Sequence, residues 1–343
     1  MLDHDLLAQI WFVLLGGLLT GYAILDGFDF GVGMAHLVIP RSDRERRLAM
    51  NAIGPLWDGN EVWLVAFGGA LFAAFPGAYA TVFSGFYLAL MLLLFLLIFR
   101  AVSLEFRSKL EAPAWRWIWD VAFAVGSIGA PLVFGVAAGN LLSGIPLDAR
   151  GEYTGTFLEL FHPYALLVGV FALSLTMLHG VLYLHLKTEG ELEQRCRQWV
   201  GPLLGIFVVL SVVTAVVTLL AVPGARAGFA TSPAVWAGVG VGVLAIAGIP
   251  WALRRGRAFL GFLGSSVTIA ALVFLFAAAL YPNLVPATDP QHSLSLFSVA
   301  RSSAKTLSIM LLIAGIGMPL VLTYTAVVYW TFRGKVKLGE HSY

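Results

Sequence analysis

The sequence predicts an all-α polytopic membrane protein: nine transmembrane helices in a single integral domain over 1–343. Three observations carry this. Of the 343 residues, 59% are hydrophobic and 12% are charged, where soluble domains carry about 25% charged residues. Mean hydropathy is +0.87. The apolar residues are gathered into nine stretches, each near or above the ~20 residues needed to cross ~30 Å of hydrocarbon. The same numbers exclude a soluble enzyme and a disordered chain. A net charge of +2 is too small for tracking nucleic-acid phosphates. The single cysteine, Cys196, excludes a disulfide framework and a Cys-based metal cluster. No ten-residue alternating segments suggest a β-barrel.

In order, the expected spans are 6–39, 48–75, 78–100, 116–142, 160–186, 201–222, 233–253, 258–281 and 306–332. The flank before the first is Met1-Leu2-Asp3-His4-Asp5. It has no basic residue, so this span reads as a retained helix and not a cleaved leader. The longest loops, 143–159 and 282–305, are too short for an extramembrane domain. Pro282, Pro286 and Pro290 make the second of them irregular. Gly27–Gly31 and Gly135–Gly139 have the spacing of close helix contacts.

The basic residues then sort by side. One side holds Arg41, Arg44, Arg46 and Arg47, then Arg100, Arg107, Lys109 and Arg116, then Lys187, Arg195 and Arg197. It continues with Arg254, Arg255 and Arg257 and with Arg333, Lys335 and Lys337. The other side holds Arg150, Arg226, Arg301 and Lys305, which accounts for all 21 Lys and Arg. So strong a bias predicts an outside N-terminus and a cytoplasmic C-terminus.

Ionisable groups are costly in hydrocarbon and usually mark ion or proton paths. Four acids fall inside the expected spans. Asp26 and Asp29 lie in Leu25-Asp26-Gly27-Phe28-Asp29, and Asp58 and Glu61 in Trp57-Asp58-Gly59-Asn60-Glu61. Each pair is spaced i,i+3, which puts both carboxyls on one helix face. Two consecutive antiparallel helices would thus present four carboxyls to each other. A continuous second span entered near Leu48 would carry Asp58 roughly 15 Å inward, level with Asp29 and biased to the cytoplasmic side. Carboxyls in low dielectric hold a proton more tightly, and neighbouring carboxylates add to this. A row of them, with Asn60 between, can pass protons. Arg100, at the inner end of the third span, can order that row or serve folding alone.

The histidines carry less. His36, His162, His179 and His185 read as satisfied polar contacts, since no His-rich metal motif is present. Trp57, Trp63, Trp115, Trp117 and Trp119 read as interfacial belts. A stand-alone proton-coupled transporter is the competing class. It is disfavoured by the absence of a detectable repeat and by acids placed off the midplane.

The stretch Gly27-Phe28-Asp29-Phe30-Gly31-Val32-Gly33-Met34 resembles the start of subunit II of the cytochrome bd-type quinol oxidases. Trp57-Asp58-Gly59-Asn60-Glu61-Val62-Trp63 follows at the expected distance, then Gly68–Pro76, Phe83-Ser84-Gly85-Phe86-Tyr87, Phe99-Arg100 and Glu105-Phe106-Arg107-Ser108-Lys109. The match is dense over about 1–145 and rests on span number and length beyond. The resemblance implies two four-helix bundles, 1–142 and 160–281, with a ninth, peripheral helix at 306–332. It implies a heterodimeric terminal oxidase of the bacterial inner membrane that oxidises quinol and reduces O2 to water. The b- and d-type haems would belong to a partner subunit I and no haem to this chain. Small accessory subunits join some members, and some bind a structural quinone in this subunit. The implied proton path runs through Asp58 and, less centrally, Asp26 and Asp29. Glu61, Arg100 and Glu105 match polar positions of the family, with Trp57 and Asn60 beside them.

Overall fold

The computed structural model describes residues 3–298 and 301–339, so Met1 and Leu2 of the N-terminal flank lie outside it. It is built from twelve α-helices: α1 (His4–Ala35), α2 (Asp43–Ile53), α3 (Trp57–Ala74), α4 (Pro76–Gly85), α5 (Tyr87–Phe106) and α6 (Pro113–Ser143), then α7 (Pro163–Lys187), α8 (Gly190–Ala221), α9 (Pro223–Thr231), α10 (Pro233–Arg254), α11 (Ala258–Leu280) and α12 (Ala304–Thr331). A two-stranded antiparallel pair, β1 (Asn283–Val285) and β2 (Leu294–Ser295), folds the loop before α12.

Eight of these helices are long and apolar enough to cross a membrane: α1, α5, α6, α7, α8, α10, α11 and α12. The stretch expected as the second span is different. It divides at Gly54-Pro55-Leu56 into α2 and the 18-residue α3. Proline lacks the N–H a continuous helix needs and forces its predecessor away from helical geometry. The α2 helix starts on a Ser42 cap and buries Ala49, Met50, Ala52 and Ile53. The start of α3 carries Asp58, Asn60 and Glu61, which dilute its apolar content. The continuous helix assumed in placing Asp58 is therefore absent, and Asp58 stands in the first turn of a new helix. The third span shifts as well. Phe86 interrupts it, dividing α4, which starts on Pro76, from α5, which continues to Phe106. Arg100 is thus six residues inside α5 and not at its end.

The helices alternate between two ends of the molecule. The start of α1 meets the start of α12, where the Trp11 indole donates to the Leu307 carbonyl at 3.0 Å and Arg301 pairs with Asp5. At the other end the C-terminal segment folds under α7: Val336 N–H donates to the Lys187 carbonyl at 2.8 Å. This second end carries the arginine-rich turns and is called the basic end below.

Helix α1 is the central column, in contact with α3, α6, α7, α11 and α12. Its close approach to α7 depends on glycine. A Cβ on Gly31 would lie 2.1 Å from the Thr176 carbonyl oxygen and 2.7 Å from Gly180 Cα. The Gly135–Gly139 pair does the same for α6 against α7, where added Cβ atoms would meet Gly169 Cα at 2.6 Å and Ala165 Cα at 2.7 Å. Gly31, Gly135 and Gly139 are the close helix contacts their spacing predicts, whereas a Cβ on Gly27 would meet only His179 at 3.7 Å. Two large apolar cores result, beside a small one of Tyr164, Val168, Val222 and Ala225. One gathers Leu7, Trp11, Leu15, Phe75 and Phe86 with the 283–297 loop. The other gathers Phe28, Val32, Met50, Leu178 and Phe207 toward the basic end. The polar cluster sits between them.

Candidate functional site

The cluster forms where α1, α3 and α5 meet, with α12 closing one side. Asp26 and Asp29, one helical turn apart, are both fully buried. Arg100 of α5 is fully buried too, and it forks onto Asp26: Nη2 donates to Oδ1 at 2.5 Å and Nη1 to Oδ2 at 3.2 Å. This two-point geometry is available to arginine and not to lysine. Nη1 also donates to Glu61 Oε1 at 3.0 Å, and Nη2 lies 3.9 Å from Asp29 Oδ2. The guanidinium rests over the Phe30 ring, 4.1 Å from its centroid.

Asn60 completes the set. Its amide donates to Asp29 Oδ2 at 2.7 Å and to the Leu25 carbonyl at 3.1 Å. The Tyr329 hydroxyl of α12 donates to Asn60 Oδ1 at 2.9 Å, which fixes the orientation of the amide. Two buried atoms, Asp29 Oδ1 and Arg100 Nε, have no hydrogen-bond partner among the described residues. The Asp120 cluster described below shares this feature, with His36 Nδ1, Arg46 Nε, Arg107 Nη1 and Arg116 Nε also unpartnered among the described residues.

Three carboxyls against one guanidinium leave this cluster with acid in excess. A second charge cluster, at the basic end, sets two carboxylates, Asp120 and Asp43, against three arginines, so no acid in it is in excess. Asp120 of α6 accepts from His36 Nε2 at 2.5 Å, Arg107 Nε at 2.5 Å and Arg46 Nη1 at 3.2 Å. Arg107 also donates to Asp43 at 2.8 Å, and Arg116 to the same carboxylate at 3.3 Å. It clamps the ends of α1, α2, α5 and α6 together. The sequence reading missed it, treating these arginines as loop charges and Asp120 as a helix-end acid. The signal was present: Trp117-Ile118-Trp119-Asp120 places one acid in an apolar run.

Of the expected site residues, the structure brings together Asp26, Asp29, Asn60, Glu61 and Arg100. Asp58 is exposed on α3 and Trp57 is half-buried against the second core. Glu105 is exposed near the end of α5. The expected array of four facing carboxyls is therefore three around Arg100, with Asp58 outside them. Phe30 and Tyr329 were not foreseen as parts of the site; an aromatic among many gives no sequence signal. Trp63 is buried beside Gly21 and is not a belt residue. His179 is a satisfied polar contact, with Ser265 Oγ at 2.7 Å and the Ile24 carbonyl at 3.0 Å. Among the described residues, no group of three or more His, Cys, Asp or Glu is arranged to hold a metal ion.

Fold and site together define a multi-pass membrane protein with a buried, acid-rich cluster organised on one arginine. The chain belongs to the cytochrome bd terminal oxidase subunit II family, whose model matches residues 7–332. It is 37% identical to the cytochrome bd-I ubiquinol oxidase subunit 2 of Escherichia coli K12, over 98% of this chain and 97% of that protein. A probable cytochrome oxidase subunit 2 of Haemophilus influenzae is 35% identical over the same shares. The fold matches a chain in the structure of bd oxidase from Geobacillus thermodenitrificans at a TM-score of 0.78, with 16% identity, covering 95% of this chain and 98% of that one.

Proposed function

We propose that this chain is the haem-free subunit of a cytochrome bd-type quinol oxidase, and that its acid–arginine cluster helps carry cytoplasmic protons to the O2-reducing site of subunit I. The family assignment supports the complex, and the haems b and d belong to the partner in this reading. The observation that carries the proton role is the three-to-one ratio of carboxyls to guanidinium in a site where Asp26, Asp29 and Arg100 are fully buried and Glu61 is partly so. At Asp120 every acid has a cation, with one to spare, because an uncompensated buried charge is strongly destabilising. Surplus acid in a buried site is held protonated or is balanced by something outside the chain, and a carboxyl that holds a proton there is a group that can pass one on.

The basic end faces the cytoplasm in this reading, following the bias of Lys and Arg. Reduction of O2 to two waters consumes four protons. Drawing them from that side while quinol releases its own on the other charges the membrane without a pump. Glu61, whose side chain is 26% exposed, and the exposed Asp58 lie on the open side of α3. A partner helix laid there would extend the carboxyl row into subunit I.

The test is Asp58→Asn in the reconstituted oxidase. Haem content is expected to be retained while quinol-driven O2 consumption falls sharply. Full turnover with normal proton uptake removes Asp58 from the path. Isolation of the wild-type chain as a colourless homo-oligomer with uptake activity would favour a transporter over an oxidase subunit.

A further inference from the structure

A cavity of about 510 Å³ opens at the basic end, between α7, α8, the α10–α11 turn and the C-terminal segment. It shares no residue with the acid–arginine cluster or with the Asp120 clamp. Its size is that of a small-ligand site. Four observations define what it would take.

The first is charge. Arg197, Arg257 and Lys335 line the cavity against a single lining carboxylate, Glu193. Arg254 and Arg255 stand on the same turn, with Arg255 stacked over Trp251 at 4.5 Å. The second is a helix end. Ala258, Phe259 and Leu260, the first turn of the 23-residue α11, line the cavity, and α11 begins with no side-chain cap. Leu260 N–H already donates to the Arg257 carbonyl at 3.1 Å; the first two N–H groups of the turn and the helix dipole favour an anion there. The third is His185. It is 5% exposed, it lines the cavity, and its buried Nδ1 has no hydrogen-bond partner; Glu193 Oε1 stands 3.6 Å away. The fourth is apolar. Leu253, Phe259 and Leu260 form part of the wall, and Phe259 and Leu263 continue as exposed side chains along α11.

We propose that this cavity binds the phosphate headgroup of an anionic phospholipid. Arg197, Arg257, Lys335 and the α11 N-terminus hold the phosphate, and the acyl chains lie along the Phe259–Leu263 face. Basic pockets between membrane helices are the setting in which such headgroups are held. The apolar continuation selects a lipid over a free phosphate ion, which would leave that face uncovered. The site stands independently of the proton reading, since the two share no side chain.

The experiment is native mass spectrometry of the intact purified complex, titrated with phosphatidylglycerol and, separately, with phosphatidylcholine. The wild type is expected to prefer phosphatidylglycerol. Replacing Arg197, Arg257 and Lys335 together by Gln should weaken phosphatidylglycerol about 100-fold, roughly fivefold per cation, and leave phosphatidylcholine unchanged. Equal phosphatidylglycerol binding by wild type and variant overturns the proposal. Competition by inorganic phosphate at the same concentration as the lipid overturns the lipid assignment in favour of a free-anion site. Arg197 donates to the Leu253 carbonyl and Lys335 to the Thr188 carbonyl, so the triple variant also loses folding contacts. Arg257→Gln and Arg257→Glu, at an exposed turn position, supply the second reading. Phosphatidylglycerol binding should fall with Gln and fall further with Glu, and no change in either contradicts the site.

Discussion

At the scale of single residues, the site turns on what a guanidinium can do that an ammonium cannot. Arg100 reaches Asp26 with two nitrogens and Glu61 with one of the same pair. Lysine at this position keeps the charge but cannot fork. Arg100→Lys is therefore expected to give an assembled complex with reduced turnover, whereas Arg100→Leu leaves buried acids without their cation and should destabilise by about 3–5 kcal/mol. Thermal unfolding of the purified complex, followed by haem release, separates the two. Tyr329→Phe removes one hydrogen bond to Asn60 Oδ1. It should cost about 1 kcal/mol and lower O2 consumption through misorientation of the amide that holds Asp29. Unchanged turnover would take Tyr329 out of the site. The acids of α1 were legible because their i,i+3 spacing survives in any helix. Tyr329 was not, because a contact between residues 269 positions apart in the chain leaves no local pattern.

At the scale of elements, the apolar runs locate the long helices, and α6, α8, α10 and α12 stay continuous through Pro131, Pro202, Pro250 and Pro319. The departures are at Gly54-Pro55, inside the second expected span, and at Phe86, inside the third. Hydropathy averaged over a window runs straight through the Gly54-Pro55 break, where local geometry ends the helix. The break after α2 has a functional consequence. It frees the first turn of α3, so Asn60 and Glu61 turn inward while Asp58 stays at the surface. The helix crossings were legible from glycine spacing alone. Gly31→Leu drives a side chain into the Thr176 carbonyl and Gly180 and is expected to abolish assembly. Gly17→Leu, with nothing within 4 Å of its added Cβ, should assemble normally. Recovery of the assembled complex on size-exclusion chromatography reads both, and assembly of Gly31→Leu would refute the crossing.

At the scale of the whole molecule, the two charge clusters differ in the sign of their excess, and the proposed proton role rests on that difference. The Asp120 clamp has more arginines than acids and ties four helix ends together. The cluster on Arg100 has more acids than cations, and it opens through Glu61 toward the exposed face of α3. The positive-inside bias that the proton direction rests on has its own check. In a Cys196→Ser background, a cysteine placed at Ser42 should be labelled only from the cytoplasmic side and one at Glu152 only from the other. The reverse pattern would invert the proposed direction of proton flow.

The most direct measurement of the central claim is proton uptake by Asp29→Asn in reconstituted vesicles. Asn is nearly isosteric with Asp29 and can still accept from Asn60, so the fold and the haem content of the partner should be preserved. If the buried carboxyl carries protons, quinol-driven O2 consumption and proton uptake fall together, by roughly 100-fold as for the loss of a positioned proton-transfer group. Full turnover with normal proton uptake in an assembled Asp29→Asn complex would contradict the account.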